Sequence, residues 1–385
     1  MLLKIALSIM CVVIAYFIWR KYGKDEVVAD TVEFYPPDGL NSADIAFIYN
    51  GHIERKDIIS LLIYLANNGY LRIEEYEETT LKVFKSKNFK IIKVKEYDGD
   101  NEDEREFFNG LFKSTKLKDK ITVNDLYESK EEVTRSDLYN KFYVTLDKIK
   151  KNINRKENKE KIFEKNSLGK REIIIIMIAI VFMIMGGFSF VTIGKANALE
   201  VLGFFLIGSL ELLYTKPNVA TIILNLAVFL FYGSICLFIS FDGKFSMSFW
   251  VEYIVYIICI VLLIIFLAII RKRTEYGRKM LGRIQGFKNF LEMAEKPRLE
   301  QLVMEDPEYF YKILPYSYAL GVSNKWMKKF EDIALEAPHW YYGYSSFSTH
   351  SFNRFMNSTY SSISNIMSSS TSRYGSSGGG GGGSW

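Results

Sequence analysis

The chain is 385 residues long, enough for two or three domains, with 49% hydrophobic residues, 24% charged residues and a formal net charge of +5. Its mean hydropathy of +0.04 excludes an ordinary soluble protein of that charge unless apolar and charged residues are segregated; they are, with the charge mainly in 20–172 and 271–338 and Ile, Leu, Phe and Val dominating between. The modest positive balance does not call for nucleic acid, because lysines beside apolar spans set topology. Cys11, Cys236 and Cys259 all fall in apolar runs with no CxxC pair or disulfide framework. His52, His339 and His350 have no Cys, Asp or Glu at ligand spacing, so no metal and no cofactor is expected.

Residues 1–20 read as a membrane anchor. Lys4 precedes an apolar run over 5–19, Tyr16-Phe17-Ile18-Trp19 offers no small-residue cleavage site, and Arg20, Lys21 and Lys24 follow at once. That is the pattern of a retained span whose C-terminal end lies inside.

A cytoplasmic domain is expected over 25–170. Tyr35-Pro36-Pro37-Asp38-Gly39-Leu40 makes a rigid turn, and Asn41 or Ser42 can cap a helix that runs through Tyr49 and closes at Gly51. A second helix over 56–68 places Ile58, Leu61, Leu62 and Leu65 on one face and stops at Asn67-Asn68-Gly69. Extended segments follow at 70–76, 81–85 and 89–96. Helix, helix and hairpin in that order predict an α+β winged-helix-like domain, with the run from Leu65 to Ile73 resembling the helix-to-wing junction. The helix that would read DNA carries Asp57, Ser60, Asn67 and Asn68 with only Lys56 at its start. Docking on phosphates needs several cations, so a protein partner is expected there and nucleic acid is not. Asp98, Asp100, Glu102, Asp103 and Glu104 lack the spacing of a calcium loop and read as the start of a helix containing Phe107, Phe108, Leu111 and Phe112. Residues 120–165 read as a helical extension ending in a lysine-rich stretch, which anionic headgroups attract by about 1 kcal/mol per basic residue near the surface.

A four-span membrane domain is expected over 173–270. Crossing a bilayer takes about 20 mostly apolar residues, which 173–194, 219–241 and 249–270 supply, while 196–214 carries Glu200 and Glu211. Lys165, Lys170 and Arg171 precede the first of these, and Arg271, Lys272, Arg273, Arg278 and Lys279 follow the last. Both flanks are therefore cytoplasmic, the number of crossings between them is even, and 196–214 must cross too. With the anchor this makes about five spans of a multi-pass α-helical protein of the plasma membrane, N-terminus outside, C-terminus in the cytoplasm, and the loops at Lys195 and Lys244 external. Glu200 and Glu211 are about three helical turns apart and share a face. With Asn225 and Glu252 they are the candidate intramembrane polar residues, since carboxylates in a bilayer are costly and tend to mark pathways.

Residues 271–343 read as a second, helical cytoplasmic region, with an amphipathic helix through Gly282 and Gly286-Phe287-Lys288, a break at Asp306-Pro307, and Leu314-Pro315-Tyr316 leading to a helix that bears Trp326 and Phe330. From 344 to 385 serine, glycine and scattered aromatics such as Phe347, Phe352 and Phe355 prevail, ending in a glycine run at 378–383 and Trp385. Such a segment cannot bury enough surface to fold alone, so a disordered tether is expected.

Pro36-Pro37-Asp38-Gly39-Leu40, Leu65-Ala66 with Gly69-Tyr70-Leu71, Gly286-Phe287-Lys288 with Ala294-Glu295-Lys296, Leu314-Pro315-Tyr316 with Ala319-Leu320-Gly321-Val322, and the glycine-rich end in Ser384-Trp385 together resemble the bacterial YciQ-like predicted membrane proteins. The resemblance spans most of the chain and implies topology and architecture rather than a chemistry. Members usually carry an extracytoplasmic β-rich domain ahead of the first span; this sequence starts at the span, so that surface is expected to be lacking or supplied by another chain. No nucleophile elbow, phosphate-binding loop, HExxH or paired metal ligands appear, so no catalytic residue is assigned. The expected function is that of a scaffold or signalling component, embedded in the lipid bilayer, that binds a cytoplasmic or membrane protein through its cytoplasmic modules. The alternatives are a membrane-tethered DNA-binding regulator and a transporter subunit using Glu200 and Glu211.

Overall fold

A computed structural model describes residues 2–24, 28, 31–80, 84–113, 132–192, 247–343 and 347–369. They divide into two compact units, Met1–Val27 with Glu160–Gly277, and Val28–Lys159 with Arg278–Trp385.

Helix α1 (Leu2–Tyr22) is apolar along its length and ends on Arg20 and Lys21, cations that the carbonyl end of a helix favours. Helix α2 (Ser42–Asn50) begins at Asn41, whose side chain accepts the Asp44 N–H while the Asp44 carboxylate accepts that of Asn41, and closes at Gly51 in the left-handed conformation. Helices α3 (Arg55–Ile58) and α4 (Leu61–Asn67) follow, and Gly69, at φ 77°, turns the chain into the sheet. Strands β1 (Leu71–Thr80) and β2 (Phe84–Lys93) form the hairpin expected after Gly69, paired antiparallel from Leu71–Lys93 to Thr80–Phe84. Phe84–Lys93 is thus one continuous strand where two extended segments were expected, at 81–85 and 89–96; residues 81–83 lie outside the described residues. Helix α5 (Glu102–Phe112) is capped by Asn101 and carries Glu102, Asp103 and Glu104 in its first turn, where the macrodipole stabilises acidic side chains.

Strand β3 (Glu132–Thr134) runs into helix α6 (Arg135–Leu138) and is followed by α7 (Tyr143–Ile153), α8 (Lys156–Ile162) and α9 (Lys165–Thr192). After α10 (Met247–Ile269) come α11 (Glu275–Met293), α12 (Lys296–Glu305), α13 (Tyr309–Ala319), α14 (Ser323–Lys329), strand β4 (Tyr341–Tyr342) and helix α15 (Thr349–Ser368). The sheet order is β3-β2-β1-β4, with β4 parallel to β1 through Ile73 and Tyr341.

In the first unit α1, α9 and α10 share a core that includes Cys11, Ala15, Ile178, Phe182, Tyr256 and Leu263, while Leu3, Phe17, Ile254, Ile258 and Ile265 leave a large apolar face uncovered. An apolar surface of this kind suits lipid rather than water. Helices α1 and α10, with mean hydropathies of 1.9 and 2.9 over their apolar stretches, are long and apolar enough to cross a membrane. The end of α1, the start of α9 and the end of α10 meet at one end of the unit. There Trp19 packs on Phe266 at 6.0 Å, Lys170 lies 5.3 Å from the Tyr22 ring, and the Glu164 N–H donates to the Lys272 carbonyl at 2.9 Å. The spans expected at 196–214 and 219–241 lie outside the described residues.

The second unit joins two stretches of chain that the sequence separates by more than a hundred residues. The regions expected as separate modules at 25–170 and 271–343 contribute instead to one compact unit, Val28–Lys159 with Arg278–Trp385, in which each supplies what the other lacks. Asn67, at the end of α4, donates through Nδ2 to the Tyr311 carbonyl at 2.6 Å and accepts the Trp340 indole N–H at 2.6 Å. Pro315 lies inside α13 and has no N–H to offer the carbonyl four residues earlier, which is that of Tyr311. The Asn67 amide takes the place of the missing helix bond. Tyr316 donates to the Leu40 carbonyl at 3.1 Å, and Tyr309 to that of Phe34. Gly286 allows the segment before the Pro-Pro turn to lie on α11: a Cβ there would collide with the Thr31 carbonyl oxygen.

The expected disorder over 344–385 does not hold for Thr349–Ser368, which forms α15 with a Ser348–Ser351 capping box at its start. Phe352, Phe355, Met356, Ile363, Ile366 and Met367 fall on one face of it and are buried. Phe352 alone meets the rings of Phe310, Tyr311, Trp340 and Tyr341 at 5.1–6.2 Å. The segment cannot fold alone, but the rest of the unit presents the aromatic surface it needs. The glycine run lies outside the described residues.

Candidate functional site

The polar face of α15 borders a groove of about 440 Å³ whose other wall is the hairpin and the start of α6. The helical period that buries Phe352, Phe355 and Met356 turns His350, Arg354, Ser358 and Ser362 the other way. Glu75 of β1, Asn88 of β2 and Arg135 of α6 complete the lining. Thr134 caps the turn that presents Arg135, its hydroxyl donating to Asp137 at 2.7 Å. Glu75 is held by the Tyr341 hydroxyl at 3.2 Å. The Arg354 guanidinium stands 3.0 Å from His350 Nε2. The groove presents two guanidinium groups, one carboxylate and a row of hydroxyls around the apolar edge of Phe89 and Phe355. Such a lining can receive an extended polypeptide with acidic side chains. Among the described residues of its lining, no hydroxyl is hydrogen-bonded to His350.

The helix that would read DNA in a winged helix is enclosed. Ile58, Ile59, Leu61, Leu62, Ile63 and Leu65 are each at most 1% exposed. Arg55, ahead of it, is held by Asp147 at 2.6 Å and by the Ser368 carbonyl at 2.9 Å, and the Tyr360 hydroxyl donates to the Lys56 carbonyl at 3.3 Å. Helices α7, α13 and α15 thus pack around α3 and α4.

Of the intramembrane polar residues expected from the sequence, Glu252 lies in α10 and is 2% exposed, with no hydrogen-bond partner for Oε2. One turn on, the Tyr256 hydroxyl is equally buried and equally without a partner among the described residues. Glu200, Glu211 and Asn225 lie outside the described residues. Among the described residues no three His, Cys, Asp or Glu side chains converge to hold a metal ion.

Arg135, His350 and Arg354 were not among the site residues expected from sequence, because the segment carrying two of them read as a tether. The available signal was the recurrence of apolar residues at 352, 355, 356, 363, 366 and 367, with Ser348 and Ser351 at capping-box spacing.

Compared with known proteins, the chain matches over residues 31–330 the family model described as "Predicted membrane protein (DUF2207) C-terminal domain". No curated protein and no solved structure matches it.

Proposed function

The chain belongs to the family of predicted membrane proteins defined by the DUF2207 C-terminal domain, and from that membership we propose a scaffold or signalling component of the bacterial plasma membrane that binds a protein partner through its cytoplasmic unit. The observation that carries the proposal is the groove along α15, where Arg135 and Arg354 stand over a row of hydroxyls with nothing catalytic beside them. Gly286, Pro315 and Tyr316, from the motifs quoted above, and Asn67, between Ala66 and Gly69, are engaged in packing the unit together. Those motifs accordingly specify a rigid body, and the groove is what that body offers.

In this reading the chain is YciQ-like in architecture and crosses the membrane five times, through α1, α9, 196–214, 219–241 and α10, with the N-terminus outside and the C-terminus inside. Clustered basic residues at the meeting end of α1, α9 and α10 support that direction. Helices α2 to α4 with the β1–β2 hairpin are a winged-helix-like unit adapted to protein contact, and the enclosure of α4 counts against DNA as its ligand. A transport role retains one specific support, the buried Glu252 beside Tyr256, and predicts that Glu252→Gln alters the flux of some ion or solute.

A photo-crosslinking side chain placed at Ser358 tests the main reading in intact cells. It should capture a defined protein, and Arg135→Glu with Arg354→Glu should abolish the capture while leaving the thermal transition unchanged. Equal capture by the charge-reversed chain would refute the groove as the binding surface.

A further inference from the structure

We infer that the groove takes its partner as an added β-strand: an extended, acidic segment of another polypeptide lies along β2 where β3 leaves off and sends alternate side chains to the two faces of the sheet. This rests on the protein-binding reading of the groove, and it adds the conformation and the charge of what enters.

Strand β2 runs from Phe84 to Lys93, but β3 accompanies it only from Lys90 to Ile92, and the chain turns away into α6 at Arg135. Among the described residues no strand lies beside Phe84–Phe89 on that side. The N–H and C=O groups that this stretch turns away from β1 therefore form an open edge, a template for pairing with another chain. A hollow flanks the edge on each face of the sheet. Glu75 and Phe89, partners across the β1–β2 ladder, line the groove of about 440 Å³. Tyr76 and Asn88, partners one step along, line a second hollow of about 530 Å³ with Ser136 and Tyr139. Successive residues of a strand point to opposite faces, so the two hollows lie on opposite sides, and they meet at Asn88 and Arg135, which line both. An extended chain seated beside β2 puts one side chain into one hollow and the next into the other. A helix has no such alternation.

Charge selects the occupant. Strand β2 carries Lys85, Lys87, Lys90 and Lys93 and no carboxylate. The strands on either side of it answer that charge, since Glu74 of β1 and Glu132 of β3 both reach the Lys90 ammonium, at 3.1 and 3.6 Å. A strand continuing the line of β3 meets the same basic strand together with Arg135 and Arg354, which are exposed and have no carboxylate partner among the described residues. Acidic side chains on the added strand complement all of these. Two copies of β2 paired edge to edge would bring two lysine-rich strands together, which like-charge repulsion opposes. The chain from 370 onward carries no carboxylate side chain to offer.

The probe is a display library of random peptides of about ten residues, the length of a long strand, selected on the full chain in neutral detergent. Selected peptides should carry Asp or Glu at alternate positions and no proline within the bound run. N-methylation along the best binder should weaken it about tenfold or more at every second residue, where the N–H faces β2, and little at the residues between. Amide exchange at Phe84–Phe89 should slow on binding. Arg135→Gln and Arg354→Gln should each weaken the peptide about tenfold or more. Binding that survives both arginine changes together refutes the groove itself, and the proposed function with it. Binding that needs the arginines but lacks the every-second-residue pattern, or leaves exchange at Phe84–Phe89 unchanged, overturns strand addition and leaves the groove standing. Selection of no binder, or of binders without acidic residues, overturns the proposal. So does exchange at Phe84–Phe89 that is already slow in the peptide-free chain and quickens when a dimer is diluted to monomer, because a second copy then holds the edge.

Discussion

Replacing Asn67 with alanine should destabilise the second unit far more than its partly exposed position suggests, because the residue serves two buried groups from different parts of the chain. It donates to the Tyr311 carbonyl, left without a helix partner by Pro315, and accepts from the indole of Trp340. Tyr311 is 3% and Trp340 1% exposed, so water does not readily replace either bond. An unsatisfied buried group costs about 1–3 kcal/mol, which puts Asn67→Ala at about 2–5 kcal/mol and lowers the melting temperature on the order of 10 °C in a unit of this size. Asn67→Asp keeps the acceptor for Trp340 and loses the donor to Tyr311, so it should fall between. The discriminating measurement is a double-mutant cycle with Pro315→Ala, followed by tryptophan fluorescence of the full chain in detergent. Alanine at 315 restores the helix N–H, which then satisfies Tyr311 without Asn67. Asn67→Ala should therefore cost about 1 kcal/mol or more less in that background. An equal cost in both backgrounds would show that the proline and the asparagine act independently and refute the account.

Phe352→Ala should cost about 3–5 kcal/mol and open the chain around α15 to limited proteolysis, since Phe352 is fully buried among four rings; an unchanged melting temperature is what a loose tail would give. Gly286→Ala should cost about 1–3 kcal/mol, as the backbone at Thr31 must move away from α11 to admit the methyl group; wild-type thermal stability would refute that close approach. Burial, reinforced by the carboxylates of Glu104 and Asp44, pushes Tyr64 up to about 12 from an ordinary value of 10.0. The folded state thus holds this proton more tightly than the unfolded state. Its contribution is fully present below pH 10 and is lost as the pH climbs toward 12. Melting temperature measured across that range should fall, and Tyr64→Phe should flatten the decline; the same slope in both proteins would exclude Tyr64 as a contributor.

Local chemistry was enough for the elements whose cause lies within their own residues. Apolar length alone determines α1 and α10 as membrane-competent helices, Asn41, Asp44 and Gly51 delimit α2, and Gly69 turns α4 into the hairpin. The reading of the chain as a predicted membrane protein agrees with the family match over 31–330. What local chemistry could not determine is which surfaces meet. Pro315 reads as a helix breaker until Asn67, 248 positions earlier, supplies the missing bond. The serine-rich segment from 349 reads as uncommitted because its apolar residues are too sparse to offset the entropy of ordering it in isolation. Only when Phe310, Tyr311, Trp340 and Tyr341 present their rings does Phe352 have a surface to bury against. The groove depends on both events, since Arg354 on α15 and Arg135 on α6 come to the same cavity only through long-range packing.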